Sequence, residues 1–555
     1  MSRKTDFTDL KKEIEGFFEG EVETDSGVLE KYSHDASLFE VKPKAVLFPK
    51  NSEDLKKLVN FVREKKKDFP EISITGRSAG TDMSGGPLSE SIVLSFTEHL
   101  NHESVDLENL TAEVEPGVFY RNFEKKTLSE HISLPVYPAS KSLAALGGMI
   151  MNNCGGEKSL KYGQIRNFVN ELNMVLSDGN EYVFKKINRE ELSQKLNLNS
   201  FEGEVYRKTY GLLEKNYDLI KKAKPKVSKN SAGYALWDIW DRKYFDLTQL
   251  FVGSQGTLGI MSKAKVRLIE DKPYKKLVAL FFKDWDSLPE VVNKVLAFKP
   301  EDMETFDDTT LKLGLRFMPE VAKKAGSNFF SFALRFLPEV LIGIKMLGLP
   351  KLIVLVQFVE DSQEEIDRKV SNLKKSLNKS ELKIHVRVSP NEKDAEKYWI
   401  MRRESFSLLR KHVKGKRTAP FIDDFCIDPQ KIPEFLPKML DILKKHKIEA
   451  NIAGHAGDGN FHIIPLMDLT KPSERKKIPI VSDKVYDLII QYGGSITAEH
   501  NDGIIRTPYL EKMYGTEVYK LFEEVKNIFD PQNIFNPGKK VGGSMEYLKS
   551  HIVRR

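Results

Sequence analysis

The sequence predicts an α+β fold spread over two or three domains, and three observations carry that expectation. At 555 residues the chain exceeds what a single hydrophobic core accommodates. From Lys42 onward, short apolar runs of strand length alternate with amphipathic helical stretches. A strand-then-helix unit also occurs twice, as Leu277 to Phe282 followed by Ser287-Leu288-Pro289-Glu290, and as Ile353 to Phe358 followed by Ser362-Gln363-Glu364-Glu365.

Residues 1–40 read as an amino-terminal helical extension. In residues 41–270, Ser52 to Phe61 is an amphipathic helix with its cap placed at Ser52, and Ile72 to Thr75 is the strand after it. Further strands fall at Ile92 to Leu94, within Ala112 to Val118, and at Leu172 to Leu176. Residues 271–500 hold the repeated unit. Each copy is a buried strand entering a helix through a capping box, which predicts one antiparallel sheet with helices on its outer face. Residues 501–555 return to helix and loop: Thr516 to Phe529 is helical by pattern and stops at Asp530-Pro531, and Asn536-Pro537-Gly538-Lys539 is a turn whose tail docks on the rest of the molecule.

Composition excludes several classes of function. The 87 basic residues against 80 acidic ones leave a charge of +7 without a basic-aromatic stripe, so no nucleic-acid partner is expected. With only Cys154 and Cys426, neither a disulfide framework nor a cysteine-ligated iron–sulfur cluster can be built. The first residues lack an apolar signal region, and the expected location is the cytoplasm. Residues 329–349 are unusually apolar but broken by Arg335, Pro338, Glu339 and Lys345. They make a poor spanning helix and leave three expectations: a peripheral contact at the inner face of the membrane near a lipid-soluble electron acceptor, a lid, or a buried helical hairpin.

Chemistry concentrates in two kinds of segment. The run Thr75 to Gly86 follows a strand, and its small residues let successive N–H groups form a nest suited to a pyrophosphate. It lacks the Gly-x-Gly-x-x-Gly order of nicotinamide sites. Pro138 to Gly163 and Phe251 to Ile260 are two further small-residue stretches where an extended ligand can approach backbone. The second kind is the run Ala453 to His462, whose Gly457-Asp458-Gly459-Asn460 is turn chemistry that folds His455 and His462 together at a hairpin mouth. Glu499, at the end of the short strand expected over Ser495 to Ala498, completes a two-histidine, one-carboxylate set for a divalent metal, and the neighbouring His500 points elsewhere, as suits a base.

These motifs, taken together over about residues 41–540, resemble the vanillyl-alcohol oxidase/p-cresol methylhydroxylase flavoprotein superfamily. Within it they resemble the FAD-dependent D-2-hydroxyacid dehydrogenases, a group that includes D-lactate dehydrogenase, the glycolate oxidase large subunit and D-2-hydroxyglutarate dehydrogenase. The resemblance implies a PCMH-type FAD-binding domain of two α+β subdomains, a central substrate domain, and a carboxyl-terminal segment returning to the FAD domain. It implies non-covalent FAD held by Arg77, Ser78, Ala79, Gly80, Thr81 and Asp82, by Pro138, Ser140, Gly147, Gly148, Asn152, Gly155, Tyr162 and Gly163, and by Gly256, Gly259, Ile260 and Asn536. His455, His462 and Glu499 would hold zinc, iron or manganese, His500 would act as base, and Arg402 of Trp399-Ile400-Met401-Arg402 would grip the substrate carboxylate.

The implied reaction is oxidation of a D-2-hydroxy acid, with electrons passing to a quinone or a protein. A non-redox transferase of the alkyl-dihydroxyacetone-phosphate synthase type, or a flavoprotein subunit of a larger electron-transfer complex, is the alternative. The sequence differs from the family pattern at Gln255, where glutamate is usual, and at Asn501, where glycine is usual. It also lacks the lysine that hydroxyglutarate enzymes place shortly before the aspartate matching Asp424, which favours a lactate-like acid.

Overall fold

The computed structural model describes residues 7–378, 382–412 and 415–554. The amino-terminal half holds two larger sheets, beside two short two-stranded ones. The first is four-stranded, in the order Glu21–Glu23, Ala45–Phe48, Ile92–Ser95, Ile74–Arg77, with the last three mutually parallel. Helix Ser52–Lys65 makes the crossover that parallel pairing needs and buries Leu55, Leu58, Val59 and Val62, the spacing of one helical face. Its cap is Asn51, one residue before the expected Ser52, and the Asn51 side chain accepts from the Asp54 N–H at 3.0 Å. The residues before it join the same body, since Leu10, Ile14, Phe18 and Val22 pack into this core.

The second sheet is five-stranded and antiparallel, in the order Glu103–Asp106, Thr111–Val114, Ile260–Arg267, Val169–Val175, Glu181–Lys185. Helix Thr516–Phe529 lies over the same apolar core through Val518, Leu521, Phe522, Val525 and Phe529. The polypeptide then passes back to the parallel sheet, where the Asn536 N–H donates to the Ile74 carbonyl at 2.9 Å.

Between these segments stands an eight-stranded antiparallel sheet. Its order is Ile384–Val388, Tyr274–Phe282, Leu352–Glu360, Asp302–Asp307, Glu449–His455, Asn460–Met467, Arg417–Thr418, with Phe425–Cys426 also on Asn460–Met467. The two repeated strands are neighbours, with Val278 opposite Val356. Helices cover both faces of this sheet, not the outer face alone. Val278, Leu280, Phe282, Val354 and Val356 face one core, with helices Leu288–Leu296 and Gln363–Asn378, while Leu277, Ala279, Phe281, Ile353 and Leu355 face another, with helix Glu392–His412. An apolar run without alternation is what a strand buried on two faces requires. The capping boxes also differ: Ser362 Oγ accepts from the Glu365 N–H at 3.2 Å, but Ser287 makes no cap bond and proline occupies the first turn of its helix.

Residues 329–349 form two short helices, Phe329–Leu334 and Leu337–Met346, and they are not a buried hairpin. Phe330, Leu334, Leu337, Val340, Leu341 and Ile344 are all exposed. Among the described residues no helix is long and apolar enough to cross a membrane.

One buried ion pair ties the glycine-rich stretch to the sheet domain. Glu157 accepts from Arg403 Nε at 2.7 Å and from Nη2 at 2.5 Å. Burial alone would raise the Glu157 carboxyl, but Arg403 outweighs it and the pKa falls from 4.5 to about 2. A depressed folded-state pKa contributes stability that is complete above pH 4.5 and is lost as pH falls toward 2. Glu157→Gln is therefore expected to cost about 1 kcal/mol at neutral pH, because the Arg403 left without its partner is 36% exposed and solvated. Denaturant titrations of both proteins at neutral and acidic pH check this, and the gap between them should narrow below pH 4.5.

Candidate metal and flavin site

Strands Glu449–His455 and Asn460–Met467 pair with His455 opposite Asn460 and Ala453 opposite His462. His455 and His462 are thus diagonal neighbours on one face. The turn closes through Gly459 at φ +69°, where a Cβ would lie 1.9 Å from the Ile427 carbonyl oxygen, so only glycine fits. The rings meet at 5.3 Å and 85°. His455 Nε2 lies 3.2 Å and His462 Nε2 3.3 Å from the same oxygen, Glu499 Oε1.

Their other ring nitrogens are occupied. His455 Nδ1 bonds the Glu304 carboxylate, and His462 Nδ1 donates to the Asp423 carbonyl at 3.1 Å. Such outer bonds fix ring orientation and leave both Nε2 lone pairs converging, the arrangement that metal-binding histidines adopt. One donor atom from each of His455, His462 and Glu499 lies within 4.8 Å of the others, so the residues present fit a divalent ion.

Glu499 does not end a strand. Residues 495–500 are a loop whose single ladder contact is a bridge from Ser495 to Cys426. Asp424 supplies the order that the strand was expected to give: its Oδ2 accepts from Thr497 Oγ1 at 2.6 Å and from the N–H groups of Ala498, Glu499 and His500 at 2.8, 2.9 and 2.9 Å. Burial opposes the Asp424 charge, but the cationic groups of His500, His462 and Arg506 hold its carboxyl far below the usual range.

His500 turns its ring parallel to His462, 4.9 Å away, and bonds Asp423 Oδ2 through Nδ1 at 2.7 Å. Fully buried Arg506 grips the other Asp423 oxygen at 2.5 Å. Burial lowers the His500 pKa, yet Asp424 and Asp423 outweigh it and raise it to about 9. The ring that the sequence offered as a base is therefore aimed by an aspartate–arginine pair.

Two further groups, Lys229 and Glu304, stand at the site without a signal in the sequence to mark them. Lys229 is buried, with Nζ 3.2 Å from both Asp458 Oδ2 and Glu499 Oε2. Burial would raise the Glu499 carboxyl, but Lys229 and His455 drive it well below its usual value. Glu304 joins His455 to Arg402, and Arg402 Nη1 also lies 3.7 Å from Glu157. Arg402 thus sits beside the histidines, buried and already charge-paired.

The glycine-rich segments line a groove. Arg77, Ser78, Ala79, Gly80, Thr81, Asp82, Gly147, Gly148, Asn152, Gly256, Gly259 and Ile260 all border it. The Arg77 side chain turns away to the carbonyls of Tyr32 and His34, which leaves the backbone of the loop to face the groove. At Gly148 a Cβ would meet nothing nearer than Ser78 Cβ at 3.5 Å, and at Gly256 nothing nearer than 3.9 Å, so both glycines keep open a cradle into which side chains would protrude. That openness fits a ligand passing close to the backbone, as FAD requires.

Other expected flavin residues lie elsewhere. Gly155 backs the metal set, since a Cβ there would fall 2.6 Å from Glu499 Oε2. The Tyr162 hydroxyl reaches Glu301 at 3.4 Å, while Pro138 and Ser140 accept backbone bonds in a turn and Gly163 closes another. Asn536 is buried and donates to the carbonyls of Gly86 and Gln255 at 3.0 and 2.7 Å, holding two groove loops together.

Both departures from the family pattern have a local account. Asn501 sits at φ +68°, a conformation glycine tolerates freely and asparagine next best, and its amide donates to the Asn152 and Gly253 carbonyls at 3.1 and 2.9 Å. Gln255 bonds Ser84 Oγ at 3.1 Å and accepts from the Gly503 N–H at 2.8 Å, a pair of roles that needs an amide with one donor and one acceptor.

The FAD-binding domain family matches residues 43–184, and the family of FAD-linked oxidases, C-terminal domain, matches residues 272–540. The chain is 28% identical to D-lactate dehydrogenase of Archaeoglobus fulgidus over 499 residues, covering 89% of this chain and 91% of that one. It is 26% identical to D-2-hydroxyglutarate dehydrogenase of Pseudomonas putida over 527 residues, covering 94% of this chain, and it spans only about half the length of that relative, 50%. The structure of p-cresol methylhydroxylase with substrate bound superposes with a TM-score of 0.66 at 18% identity, covering 96% of both chains, which places the fold among the PCMH-type flavoproteins. The chain thus carries an FAD-binding domain followed along the sequence by an FAD-linked oxidase C-terminal domain.

Proposed function

We propose that the protein oxidises a D-2-hydroxy monocarboxylic acid to its 2-oxo acid. The observation that carries this reading is the convergence of His455 Nε2 and His462 Nε2 on one oxygen of Glu499, with His500 stacked beside them. When bound, FAD supplies the hydride acceptor, and a divalent ion at His455, His462 and Glu499 supplies the positive charge that acidifies a nearby hydroxyl and opposes the proton on His500.

The protein's own residues do the rest. His500 takes the hydroxyl proton on its Nε2, while Asp423, itself held by Arg506, fixes the ring and stabilises the imidazolium that forms. Arg402, beside His455 through Glu304, binds the substrate carboxylate and so sets which enantiomer turns its α-hydrogen toward the groove. The two electrons leave as a hydride from that carbon and pass on to a quinone or a protein acceptor.

On the family resemblance, the absence of a lysine from Pro420-Phe421-Ile422 before Asp423-Asp424 favours a monocarboxylate over hydroxyglutarate.

Anaerobic mixing of metal-loaded protein with D- and L-2-hydroxy acids tests the proposal. D-lactate is expected to bleach the flavin band near 450 nm, roughly where oxidised flavins absorb, and L-lactate to leave it unchanged. Retention of the band with every acid sinks the proposal.

A further inference from the structure

A second cavity, of about 480 Å³, lies between the eight-stranded sheet and the helices that precede and follow the apolar segment. Its walls are Phe281 and Phe306 of the sheet, Leu311 and Leu315 of helix Asp308–Arg316, Ile342 of helix Leu337–Met346, and Met401. Its polar wall residues are Glu339 and Tyr398, and they are already engaged: Glu339 takes Lys397 at 3.0 Å and Arg387 at 3.1 Å, and Tyr398 donates to it. Nothing there calls for a charged ligand. The outer wall reaches the surface at Ile344 and Leu347, which are 65% and 90% exposed.

Two residues join this cavity to the candidate active site. Phe306 stands two positions from Glu304 on one strand, so both face the same side of the sheet about 7 Å apart, and Glu304 is the partner of His455. Met401 directly precedes Arg402, the carboxylate-binding group proposed above. The apolar volume thus lies on the same side of the sheet as Glu304 and one residue along the helix from Arg402, and its far end is lined with exposed aliphatic residues.

We propose that the cavity holds the hydrocarbon tail of the hydroxy acid, making the preferred substrate a D-2-hydroxy acid with a tail of medium or greater length. This rests on the reading of His455, His462, Glu499 and His500 given above. A cavity near 150 Å³ takes one benzene ring, so the space here accommodates roughly a dozen carbons or more. Each methylene transferred from water into it contributes about a fourfold gain in binding until the cavity is full.

The test uses the FAD- and metal-loaded protein. Specificity constants are measured for D-lactate, D-2-hydroxyoctanoate and D-2-hydroxydodecanoate, and dodecanoate, which cannot be oxidised at its α-carbon, is titrated by calorimetry. We expect kcat/KM to rise by at least about 100-fold from D-lactate to the dodecanoate analogue, and dodecanoate to bind. Leu315→Trp and Ile342→Trp, on opposite walls, should each erase that rise and the dodecanoate binding while leaving D-lactate turnover in place.

D-lactate turnover with no gain on lengthening the tail overturns the inference and leaves the proposed chemistry standing. Failure of dodecanoate to bind also overturns it. Flavin that no hydroxy acid reduces, in protein that still binds dodecanoate and loses it in both tryptophan variants, sinks the chemistry and retains the cavity as an acyl-tail site.

Discussion

His462→Ala is expected to lower turnover of a D-2-hydroxy acid by at least about 1,000-fold, through loss of the metal ion and not of the flavin. The imidazole supplies one of three converging donors, and its removal leaves His455 and Glu499, a pair that holds a divalent ion poorly. The glycine-rich groove draws on none of these three residues, so FAD content should not change. Metal analysis alongside the flavin spectrum checks this: metal-depleted, fully yellow, inactive protein is the expected result. Colourless protein overturns it, because it would make the hairpin a structural support for the flavin domain.

His500→Asn should act on a different step. Asparagine keeps a side chain that can bond Asp423 but cannot accept the hydroxyl proton, so kcat is expected to fall by about 100- to 10,000-fold. Metal content should stay intact with the ion at His455, His462 and Glu499; loss of metal would place the ion instead in the neighbouring group of Asp424, His462 and His500. The dissociation constant for an unreactive acid should change little, since the proposal assigns the carboxylate to Arg402 and not to His500. Rapid-mixing reduction of the flavin, read beside the inhibitor constant, separates the two. A variant that weakens binding and flavin reduction equally shows His500 to be a binding group only.

The contrast between these residues and their supports shows where the sequence is informative. His455 and His462 come from one hairpin, and Glu499 and His500 are adjacent, so a glycine turn and a dipeptide reveal them. Their partners come from far away in the sequence. Glu304 reads as an ordinary acid in Asp302-Met303-Glu304, and Lys229 as one lysine among many in Lys224-Pro225-Lys226-Val227-Ser228-Lys229. Only tertiary contact turns a surface-like lysine into a buried cation between Asp458 and Glu499.

The fold shows the same division. Helix Thr516–Phe529 falls where local periodicity puts it, because it buries one repeating face, and strand Ile92–Ser95 falls on a short apolar run that is buried along its whole length. The loop of residues 495–500 reads as a strand because Ser495-Ile496-Thr497 has strand-like composition, whereas its shape is dictated by Asp424 from another part of the sheet. The apolar segment 329–349 is ambiguous for a similar reason: hydrophobicity alone does not say which side of a helix faces a cavity and which faces solvent.

Asp424 Oδ2 also constrains motion. Because one oxygen holds the N–H groups of both Glu499 and His500, the two side chains are carried on a single pivot. A displacement of residues 498–500 would carry His500, the proposed proton acceptor, and Glu499, the proposed metal ligand, along the same vector. Their mutual spacing behaves like the fixed gap of a calliper, and the one length left free to vary is that from the substrate carbon to the flavin. Breathing between the domains would then modulate hydride transfer while sparing proton transfer, so deuterium at the α-carbon and deuterium in the solvent should respond differently to viscosity and temperature.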